Sequence, residues 1–255
     1  QIANLNRTTH IVVATPGRLI DLVNRKALDL SKVKTVVLDE ADEMLSMGFK
    51  KELEKILEFL QDAQSKWLFS ATMPNEIKNI VHKHMSHTAH RISISRGDEV
   101  NANIEHKFIL CDDSEKFYAL LQFLNSAKDQ RGIIFCRTRS SAKKVAIQLI
   151  AKNIAANAIH GDLLQKERDK VMRAFKKEKI RVIVATDITA RGIDISNLAF
   201  VVNYQLPDKD EYYTHRSGRT GRAGKKGMSL VLANSYDIRK IRGYEKRLKI
   251  SFSRL

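Results

Sequence analysis

Short apolar strand patterns alternate with amphipathic helix patterns along most of this 255-residue chain. Residues 49–60 are typical of the helices, because Phe49, Leu53 and Leu57 fall on one face while charged residues fall on the other. A parallel strand pair needs a crossover connection, and the usual crossover is a helix. The alternation therefore predicts an α/β fold built from βαβ units around parallel sheets.

The predicted elements fall into two groups, separated by a polar stretch. The predicted strands of the first group are residues 10–14, 35–39, 66–70 and 90–94. Those of the second group are residues 106–110, 132–135, 156–160, 182–185, 200–203 and 228–233, with helices at 115–124 and 140–153 among others. We therefore expect two domains, residues 1–95 and 104–255, with a linker at residues 96–103. Because the first group has too few elements for a doubly wound sheet, we expect the first domain to be incomplete.

Composition limits the class of protein. Apolar residues make up 43% of the chain, enough for the cores of two domains. No apolar run approaches the roughly 20 residues that span a bilayer, and the N-terminus lacks the pattern of a signal peptide. We therefore expect a soluble, cytoplasmic protein with no membrane partner. Cys111 and Cys136 lack the spacing of a metal or redox site, so we expect two buried, reduced thiols.

Positive charge is concentrated in the second predicted domain. The formal net charge of the chain is +16. Residues 1–95 carry 13 Lys and Arg against 11 Asp and Glu, whereas residues 96–255 carry 32 against 18. Such an excess favours a polyanionic partner, most simply a nucleic acid.

The apolar run at residues 36–38 ends abruptly in three acids, Asp39, Glu40 and Asp42. We expect a strand buried on both faces of a parallel sheet, with the carboxylates at its carboxyl end. Open α/β sheets bind their ligands at that edge. The alternative is that Asp39 and Asp42 cap the following helix, since Asp is favoured at helix starts.

Other polar motifs follow other predicted strands, at the edge where a ligand site would draw its residues. These motifs are residues 15–18 (TPGR), 70–72 (SAT), 135–139 (FCRTR), 185–187 (ATD), 190–194 (ARGID) and 215–224 (HRSGRTGRAG). The last motif interleaves three arginines with glycines, which gives forked cationic donors on a backbone that can approach a phosphate closely. A basic surface turn is the alternative interpretation of that motif.

The motifs, in their order along the chain, resemble those of the DEAD-box RNA helicases of superfamily two. The resemblance rests first on residues 39–42 (DEAD), 70–72, 190–194 and 215–224, and then on residues 15–18, 135–139 and 160–168 (HGDLLQKER). It therefore covers nearly the whole chain. The resemblance implies two RecA-like parallel-sheet domains. It also implies an ATP-dependent RNA helicase core that couples ATP binding and hydrolysis to RNA binding and local duplex unwinding.

The resemblance implies catalytic roles in the DEAD segment. Asp39 would hold Mg²⁺ on the ATP phosphates through water, and a carboxylate oxygen is a suitable hard ligand for that ion. Glu40 would act as the general base that orients the attacking water. Asp42 and His215 would pair across the cleft between the domains and couple hydrolysis to closure.

Roles are also implied in the two arginine-containing motifs. Arg219 and Arg222 match arginine fingers, which stabilise charge on the transferring phosphoryl group. Asp194 matches the contact to the nucleotide ribose. Arg191 would bridge the two halves of the closed state, with a surface salt bridge as the alternative.

The SAT segment is a further implied functional element. Ser70 and Thr72 match a coupling motif of the family. The alternative is that their hydroxyls only cap the helix that follows residues 73–74.

RNA contacts are implied in both domains. They are Thr15, Gly17, Arg18, Thr138, Gly161, Gln165, Arg168 and Thr186. Hydroxyls, backbone amides and guanidinium groups can bind phosphates and 2′-hydroxyls without reading bases. We therefore expect RNA binding that is largely independent of sequence.

The sequence departs from the family pattern in two places. The Gly-rich loop with Lys and Ser/Thr that binds the ATP phosphates is absent, and the nearest candidate, residues 218–226, lacks the required four-residue gap. The glutamine-centred adenine-recognition motif is also missing. We therefore expect a chain truncated within its first domain. A non-catalytic RNA-binding fragment is the alternative function.

Four histidines, His82, His84, His87 and His90, raise the question of a metal site. On a helix, His82 and His84 would point about 200° apart. The four side chains would not converge, so a solvated helix end is the better interpretation.

Overall fold

The computed structural model describes residues 2–5, 8–93, 103–190, 198–221 and 224–255. The chain divides into two compact units, residues 1–93 and residues 94–255. Most of the predicted linker, residues 96–102, lies outside the described residues. Within the described ranges, none of the helices combines the length and the apolar character needed to cross a membrane.

The first unit contains a small parallel sheet flanked by helices. In chain order its elements are α1 (Ile2–Leu5), α2 (Pro16–Asn24), β1 (Thr35–Leu38), α3 (Ala41–Ser46), α4 (Lys50–Phe59), β2 (Ser65–Leu68) and α5 (Asn75–His84). Strands β1 and β2 pair in parallel, with Thr35 opposite Ser65 and Leu38 opposite Leu68. The predicted strands at residues 35–39 and 66–70 and the helix predicted at 49–60 are thereby confirmed.

The core of this unit lies on one face of the sheet. Leu53, Ile56 and Leu57 of α4 are buried against Val36 and Leu38 of β1. These positions follow the helical period in α4 and the alternating period in β1. Burying each such side chain contributes about 1.5–3 kcal/mol.

The expectation that β1 is buried on both faces is wrong. Val37 of β1 is 57% exposed and Trp67 of β2 is 55% exposed. Successive side chains of a strand point to opposite faces, and the described helices of this unit cover the face that carries Val36 and Leu38. Val37 and Trp67 therefore point into solvent.

Two other predicted strands of the first unit do not form. Residues 10–14 have no strand partner among the described residues, and Ile11 and Val13 are 81% and 92% exposed. Residues 90–93 also lack strand structure, and residue 94 lies outside the described residues. An apolar β-branched run becomes a strand only where a neighbouring strand supplies backbone partners, which the local sequence does not reveal.

The second unit is built on a larger sheet. Its elements are β3 (Ile104–Leu110), α6 (Lys116–Ser126), β4 (Gly132–Phe135), α7 (Arg139–Ala151), β5 (Ala156–Ile159), α8 (Gln165–Lys176), β6 (Val182–Ala185), α9 (Asp187–Ala190), β7 (Phe200–Asn203), α10 (Asp210–Ser217), β8 (Gly227–Ala233), α11 (Asp237–Leu248) and β9 (Phe252–Arg254). The seven strands have the order β5-β6-β4-β7-β8-β3-β9. All paired strands run parallel.

Helices cover both faces of this sheet. On one face, Ile134 and Val184 pack in the same cluster as Leu120 of α6 and Leu149 of α7. On the other face, Ile133 and Ile183 pack in a cluster with Phe175 of α8. The central strands are consequently buried throughout, which explains their continuous apolar sequences.

All six strands predicted for the second unit form, while β9 was not predicted. β9 has three residues, and it pairs in parallel with β3, with Phe252 opposite His106 and Arg254 opposite Phe108. Its sequence is too short and too polar to show a strand pattern. Gly132 shows a further constraint, because a Cβ at this position would lie 2.1 Å from the Phe200 ring.

Candidate nucleotide and RNA site

The turn after β1 holds the first two acids in a distinctive conformation. Glu40 is left-handed, with φ 52° and ψ 47°, and it is the N-cap residue of α3. Asp39 accepts a hydrogen bond from the Glu40 amide at 2.9 Å, and both residues are exposed. A non-glycine residue in this region of φ/ψ space is uncommon, and such residues cluster at functional sites.

Asp42 has a different environment from its two neighbours. Its side chain is buried, and Oδ2 accepts hydrogen bonds from the Thr72 amide at 2.8 Å and the Thr72 hydroxyl at 2.7 Å. Oδ1 accepts a hydrogen bond from the Glu43 amide at 3.0 Å. Asp42 is therefore a bridge between α3 and the segment after β2, and it is not the N-cap of α3.

Ser70 completes this link. Its hydroxyl donates to the Thr72 carbonyl at 2.7 Å and accepts from the Asp42 amide at 3.2 Å. The N-cap residue of α5 is Pro74, which makes no side-chain capping bond. The hydroxyls of Ser70 and Thr72 therefore form hydrogen bonds within the link to Asp42. The alternative that they only cap α5 is wrong.

The electrostatics of Asp42 follow from these contacts. Burial would raise the pKa of its carboxyl, but the hydrogen bonds from Thr72, Ser70 and Glu43 together hold that pKa below its ordinary value. Asp42 is consequently ionised at neutral pH. The hydrogen bonds that join Asp42, Ser70 and Thr72 form a network that is called the acid–hydroxyl bridge below.

Asp39 is a suitable oxygen donor for magnesium. Its carboxylate is exposed at the carboxyl end of β1, and one of its oxygens accepts the Glu40 amide. No cluster of three or more His, Cys, Asp or Glu side chains that could hold a metal occurs in the described part of the chain. Mg²⁺ usually keeps several waters and uses one or two carboxylates together with substrate phosphates, so a single exposed carboxylate fits this ion.

The remaining predicted residues of the first unit lie at the start of α2. Thr15 is the extended residue before Pro16, and Gly17 lies in the first helical turn with open space around it. Arg18 forms an ion pair with Asp21 at 2.6 Å. The first turn of this helix therefore presents backbone amides beside a guanidinium group.

In the second unit, three predicted RNA contacts follow three adjacent strands. Thr138, Gly161 and Thr186 lie beyond the carboxyl ends of β4, β5 and β6, and β6 is the central strand of the three. The Thr138 hydroxyl accepts a hydrogen bond from the Ser141 amide at 3.1 Å and caps α7. Thr186 is buried, and its hydroxyl lies 3.1 Å from that of Thr189. Because parallel strands end at one edge, the fold brings these residues to a common edge of the sheet.

Gln165 and Arg168 lie in the first turn of α8. The Gln165 amide donates to Asp169 at 2.8 Å. Arg168 Nε is buried and has no hydrogen-bond partner among the described residues. This first turn therefore adds one unsatisfied donor to the same edge.

No separate role was predicted for Arg216 from its sequence position, although its side chain is almost fully buried in the second unit. Its guanidinium is buried and binds both oxygens of Asp187, at 2.5 and 2.7 Å. It also donates to Asn203 at 3.0 Å and to the Gln205 carbonyl at 2.8 Å, and it lies over the Phe135 ring. Arg216 therefore joins α10 to the ends of β6 and β7. The only sequence signal was its place in the 215–224 motif.

A chain of buried polar groups continues from Arg216 across the sheet. The Asn203 amide is 3.5 Å from the Ser229 hydroxyl, which is 3.2 Å from the Tyr213 hydroxyl. Tyr213 in turn lies 2.6 Å from His106 Nδ1. Burial lowers the pKa of His106 to about 4, so this imidazole is neutral at pH 7. These contacts fix α10, which carries His215 and precedes Arg219.

The two cysteines and the histidines near the end of α5 were also the subject of predictions. Cys136 is buried, and burial raises the pKa of its thiol to about 11, while Cys111 is only partly buried. Both thiols are free. His82 and His84 lie in the last turn of α5, and the centroids of the His82 and His87 rings are 6.2 Å apart. Among the described residues, these histidines form no group that could hold a metal ion.

Comparison with known proteins identifies the family. The family model described as DEAD/DEAH box helicase matches residues 1–80, and the one described as Helicase conserved C-terminal domain matches residues 115–224. A relative named Probable ATP-dependent RNA helicase MJ0669, from Methanocaldococcus jannaschii, is 44% identical over 98% of this chain and 66% of its own length. The crystal structure of a DEAD box protein from the same source is 44% identical over 98% of this chain and 67% of that chain, with a TM-score of 0.58. The chain belongs to the DEAD-box family of ATP-dependent RNA helicases.

Other DEAD-box proteins give the same result. The Bacillus subtilis DEAD-box ATP-dependent RNA helicase CshA is 39% identical over the whole of this chain. The structure of Saccharomyces cerevisiae Dbp5 bound to RNA and ADP BeF3 is 30% identical over 98% of this chain and 66% of that chain, with a TM-score of 0.86. The α/β prediction is confirmed, and the two units have the RecA-like fold of this family. The chain spans about half the length of the CshA relatives, 51% in the B. subtilis protein.

Three residues that the DEAD-box resemblance singles out lie outside the described residues. They are Arg191, Asp194 and Arg222. His215 and Asp42 belong to different units, so their pairing stays a prediction. The structure describes the surroundings of the other predicted site residues, whose functional roles also stay predictions.

Proposed function

We propose that this chain is part of an ATP-dependent RNA helicase core that couples ATP binding and hydrolysis to RNA binding and local duplex unwinding. The observation that carries the proposal is the acid–hydroxyl bridge. It joins the acids after β1 to the segment after β2 through hydrogen bonds of 2.7 and 2.8 Å to one buried carboxylate. A change at Asp39 or Glu40 would therefore reach residues 70–72 through Asp42, which lies two residues beyond Glu40.

The two exposed acids would perform the nucleotide chemistry in the whole protein. Asp39 would hold magnesium through water, and the bound ion would offset negative charge on the phosphates. Glu40 would accept a proton from the attacking water at its carboxylate. Its left-handed backbone, with φ 52°, presents this side chain at the strand end, apart from the buried Asp42.

The second unit would complete the nucleotide site. Arg219 and Arg222 would stabilise the transferring phosphoryl group, and Asp194 would contact the ribose. His215 would pair with Asp42, and Arg191 would bridge the two units when they close on RNA. Arg216 supports this arrangement, because its contacts with Asp187 and Asn203 hold the helix that leads to Arg219.

RNA would bind at the carboxyl edges of both sheets. In the second unit, Thr138, Gly161, Gln165, Arg168 and Thr186 follow neighbouring strands. In the first unit, the first turn of α2 would contribute Thr15, Gly17 and Arg18. Such donors bind phosphates and 2′-hydroxyls, so recognition would be largely independent of base sequence.

A second candidate function is RNA binding without catalysis by these 255 residues alone. It is favoured by the charge of the second part of the chain and by the lack of a G-x-x-x-x-G-K-[ST] sequence. We therefore expect the 255-residue chain to bind RNA without turning over ATP, whereas the full-length protein does both.

The effect of nucleotide on RNA affinity separates the two functions. In the full-length protein, a non-hydrolysable ATP analogue with Mg²⁺ should strengthen binding to single-stranded RNA, and RNA should stimulate phosphate release. RNA binding that falls with salt but ignores nucleotide would support the non-catalytic function instead.

A further inference from the structure

Helix α8 and its C-cap residue, Lys177, carry a line of four positive charges on the outer face of the helix. Lys166, Lys170, Arg173 and Lys177 are all exposed. At about 100° per residue, their directions fall within about 60° of one another around the helix axis. These four residues are called the basic stripe below.

The basic stripe points away from the core of the second unit. Val171 and Phe175, which anchor α8 on the sheet, lie on the opposite side of the helix and are buried. Helix α8 packs on β5, the strand at one end of the sheet order. The stripe therefore faces solvent at an outer margin of the unit.

The basic stripe is not neutralised by neighbouring acids. Across the described ranges, no carboxylate lies within ion-pair distance of its four cations, as the observed salt bridges involve other residues. The two acids early in α8 have other partners: Asp169 accepts the Gln165 amide at 2.8 Å, and Glu167 accepts the Leu164 backbone amide at 2.9 Å. The positive charge is thus available to an external anion.

Helix stability accounts for only part of the stripe, because the helix dipole favours Arg173 and Lys177 at the C-terminal end of α8 but not Lys166 and Lys170. Lys166 and Lys170, like Arg173 and Lys177, are like-charged pairs four residues apart, and such pairs destabilise a helix. Lys166 also lies in the first turn, where the helix dipole disfavours a cation.

The stripe is continuous with the edge at which we place RNA. Lys166 follows Gln165, and Arg168 occupies the same first turn. From there the line of charge runs along the whole helix. The distance from Lys166 to Lys177 is about 16 Å at a rise of about 1.5 Å per residue. Each strand of a duplex carries one phosphate about every 3.4 Å of axis, and an extended single strand spaces them further apart, so this length corresponds to at most about five phosphates.

We propose that the basic stripe is a second RNA-contact surface, which binds the phosphates of the strand just beyond the nucleotides held at the sheet edge. This inference rests on the RNA-binding part of the proposed function. Its ligand is the sugar-phosphate backbone, because evenly spaced exposed cations suit a repeating anion and do not read bases.

RNA length provides the test. We would measure the affinity of the 255-residue chain for the shortest oligouridylate that it binds and for one longer by about five nucleotides. The variant Lys170→Gln/Arg173→Gln removes two charges from the middle of the stripe. The control Arg239→Gln/Arg242→Gln also removes two exposed positive charges, but from a different helix, α11. Circular dichroism spectra of both variants should match that of the unmodified chain.

The expected result is a gain of affinity with the longer RNA that the control keeps and the stripe variant loses. For the longer RNA, the slope of log affinity against log salt should become shallower by about 1.4 in the stripe variant, at about 0.7 per phosphate contact in a single strand. Affinity for the short RNA should stay unchanged in both variants.

Four results would overturn the proposal. Equal losses in the stripe and control variants would show a general charge effect, and no loss in either would leave the stripe a solvated face. A stripe-dependent loss of polyglutamate binding, with the RNA-length gain intact, would assign the surface to an acidic protein. An unmodified chain that binds neither RNA would remove the RNA-binding part of the proposed function as well.

Discussion

The buried carboxylate of Asp42 accepts two hydrogen bonds from Thr72, one from its amide at 2.8 Å and one from its hydroxyl at 2.7 Å. The two residues are 30 positions apart, and each follows one strand of the β1–β2 pair. Parallel pairing brings the strand ends together, and the hydrogen bonds then join the segments that follow them. This link is the physical basis for treating the DEAD and SAT segments as one functional unit.

Thr72→Val should test the energetic importance of this link. The change keeps the shape of the side chain and removes the hydroxyl that donates to the charged Asp42 carboxylate. We expect the free energy of unfolding of the first unit to fall by about 2 kcal/mol, as for other hydrogen bonds to buried charges. Urea unfolding followed by the fluorescence of Trp67, the single tryptophan, reports on this unit. Thr88→Val is the control, because the Thr88 hydroxyl bonds only Ser86 in an exposed turn and its loss should change stability by less than about 0.5 kcal/mol.

Arg216→Gln should destabilise the second unit. The replacement leaves the Asp187 carboxylate without its bidentate partner, and breaking a buried ion pair on one side costs about 3–5 kcal/mol. Hydrogen exchange of the amides in β4 and β7 measures this loss. The exposed Arg242→Gln should leave exchange unchanged, and equal protection in the Arg216 variant would remove Arg216 from the architecture of the site.

His106 should make the second unit sensitive to acid. Its pKa is about 4 in the folded protein, whereas an unfolded His has a pKa of about 6.5. The unfolded chain therefore binds a proton first as pH falls, and stability is lost below about pH 6.5. Between pH 7 and pH 5 this loss amounts to about 2 kcal/mol.

Urea unfolding followed by circular dichroism at the two pH values measures this effect. His106→Gln should lower the stability at pH 7 but reduce its dependence on pH, whereas the exposed His87→Gln should retain the full dependence. An unchanged pH dependence in the His106 variant would contradict the assignment.

Arg219→Lys should separate catalysis from RNA binding in the full-length protein. Lysine keeps the charge but loses the planar fork of donors. We expect kcat for ATP to fall much more than RNA affinity does, because the contact matters most in the transition state. Arg239→Lys should change neither quantity. Equal losses of kcat and RNA affinity would instead make Arg219 an RNA contact.

The sequence predicted the parts of the fold that depend on local pattern. The central strands β4, β6 and β7 of the second unit were correctly placed because each is a short, largely apolar run whose neighbours in the sheet are present in the chain. Residues 10–14 have a similar apolar pattern but lie exposed without a strand partner. The pairing of a strand depends on residues far away in the sequence, so the local apolar pattern could not show that residues 10–14 would lack a partner strand among the described residues. The same reason explains β9, which is held by β3 and not by its own sequence.

Motif spacing identified most of the candidate site but not its internal contacts. Asp42, Ser70 and Thr72 were named from their motifs, whereas the hydrogen bonds that join them depend on the parallel pairing of β1 and β2. Arg216 stands among arginines of similar spacing, and its burial against Asp187 requires the folded positions of β6 and β7. Periodicity cannot show which arginine of such a motif points inward.

RNA-stimulated ATP hydrolysis by the full-length protein, compared with Glu40→Gln, is the most direct test of the central claim. The variant keeps the shape and hydrogen-bonding of Glu40 and removes its basic carboxylate. Glu58→Gln on the exposed face of α4 is the control. We predict that RNA stimulates phosphate release in the unmodified and control proteins, and that Glu40→Gln lowers turnover by about 10²-fold or more while RNA still binds. Turnover near the unmodified rate in the Glu40 variant, or no stimulation by RNA in any of the three proteins, would contradict the account.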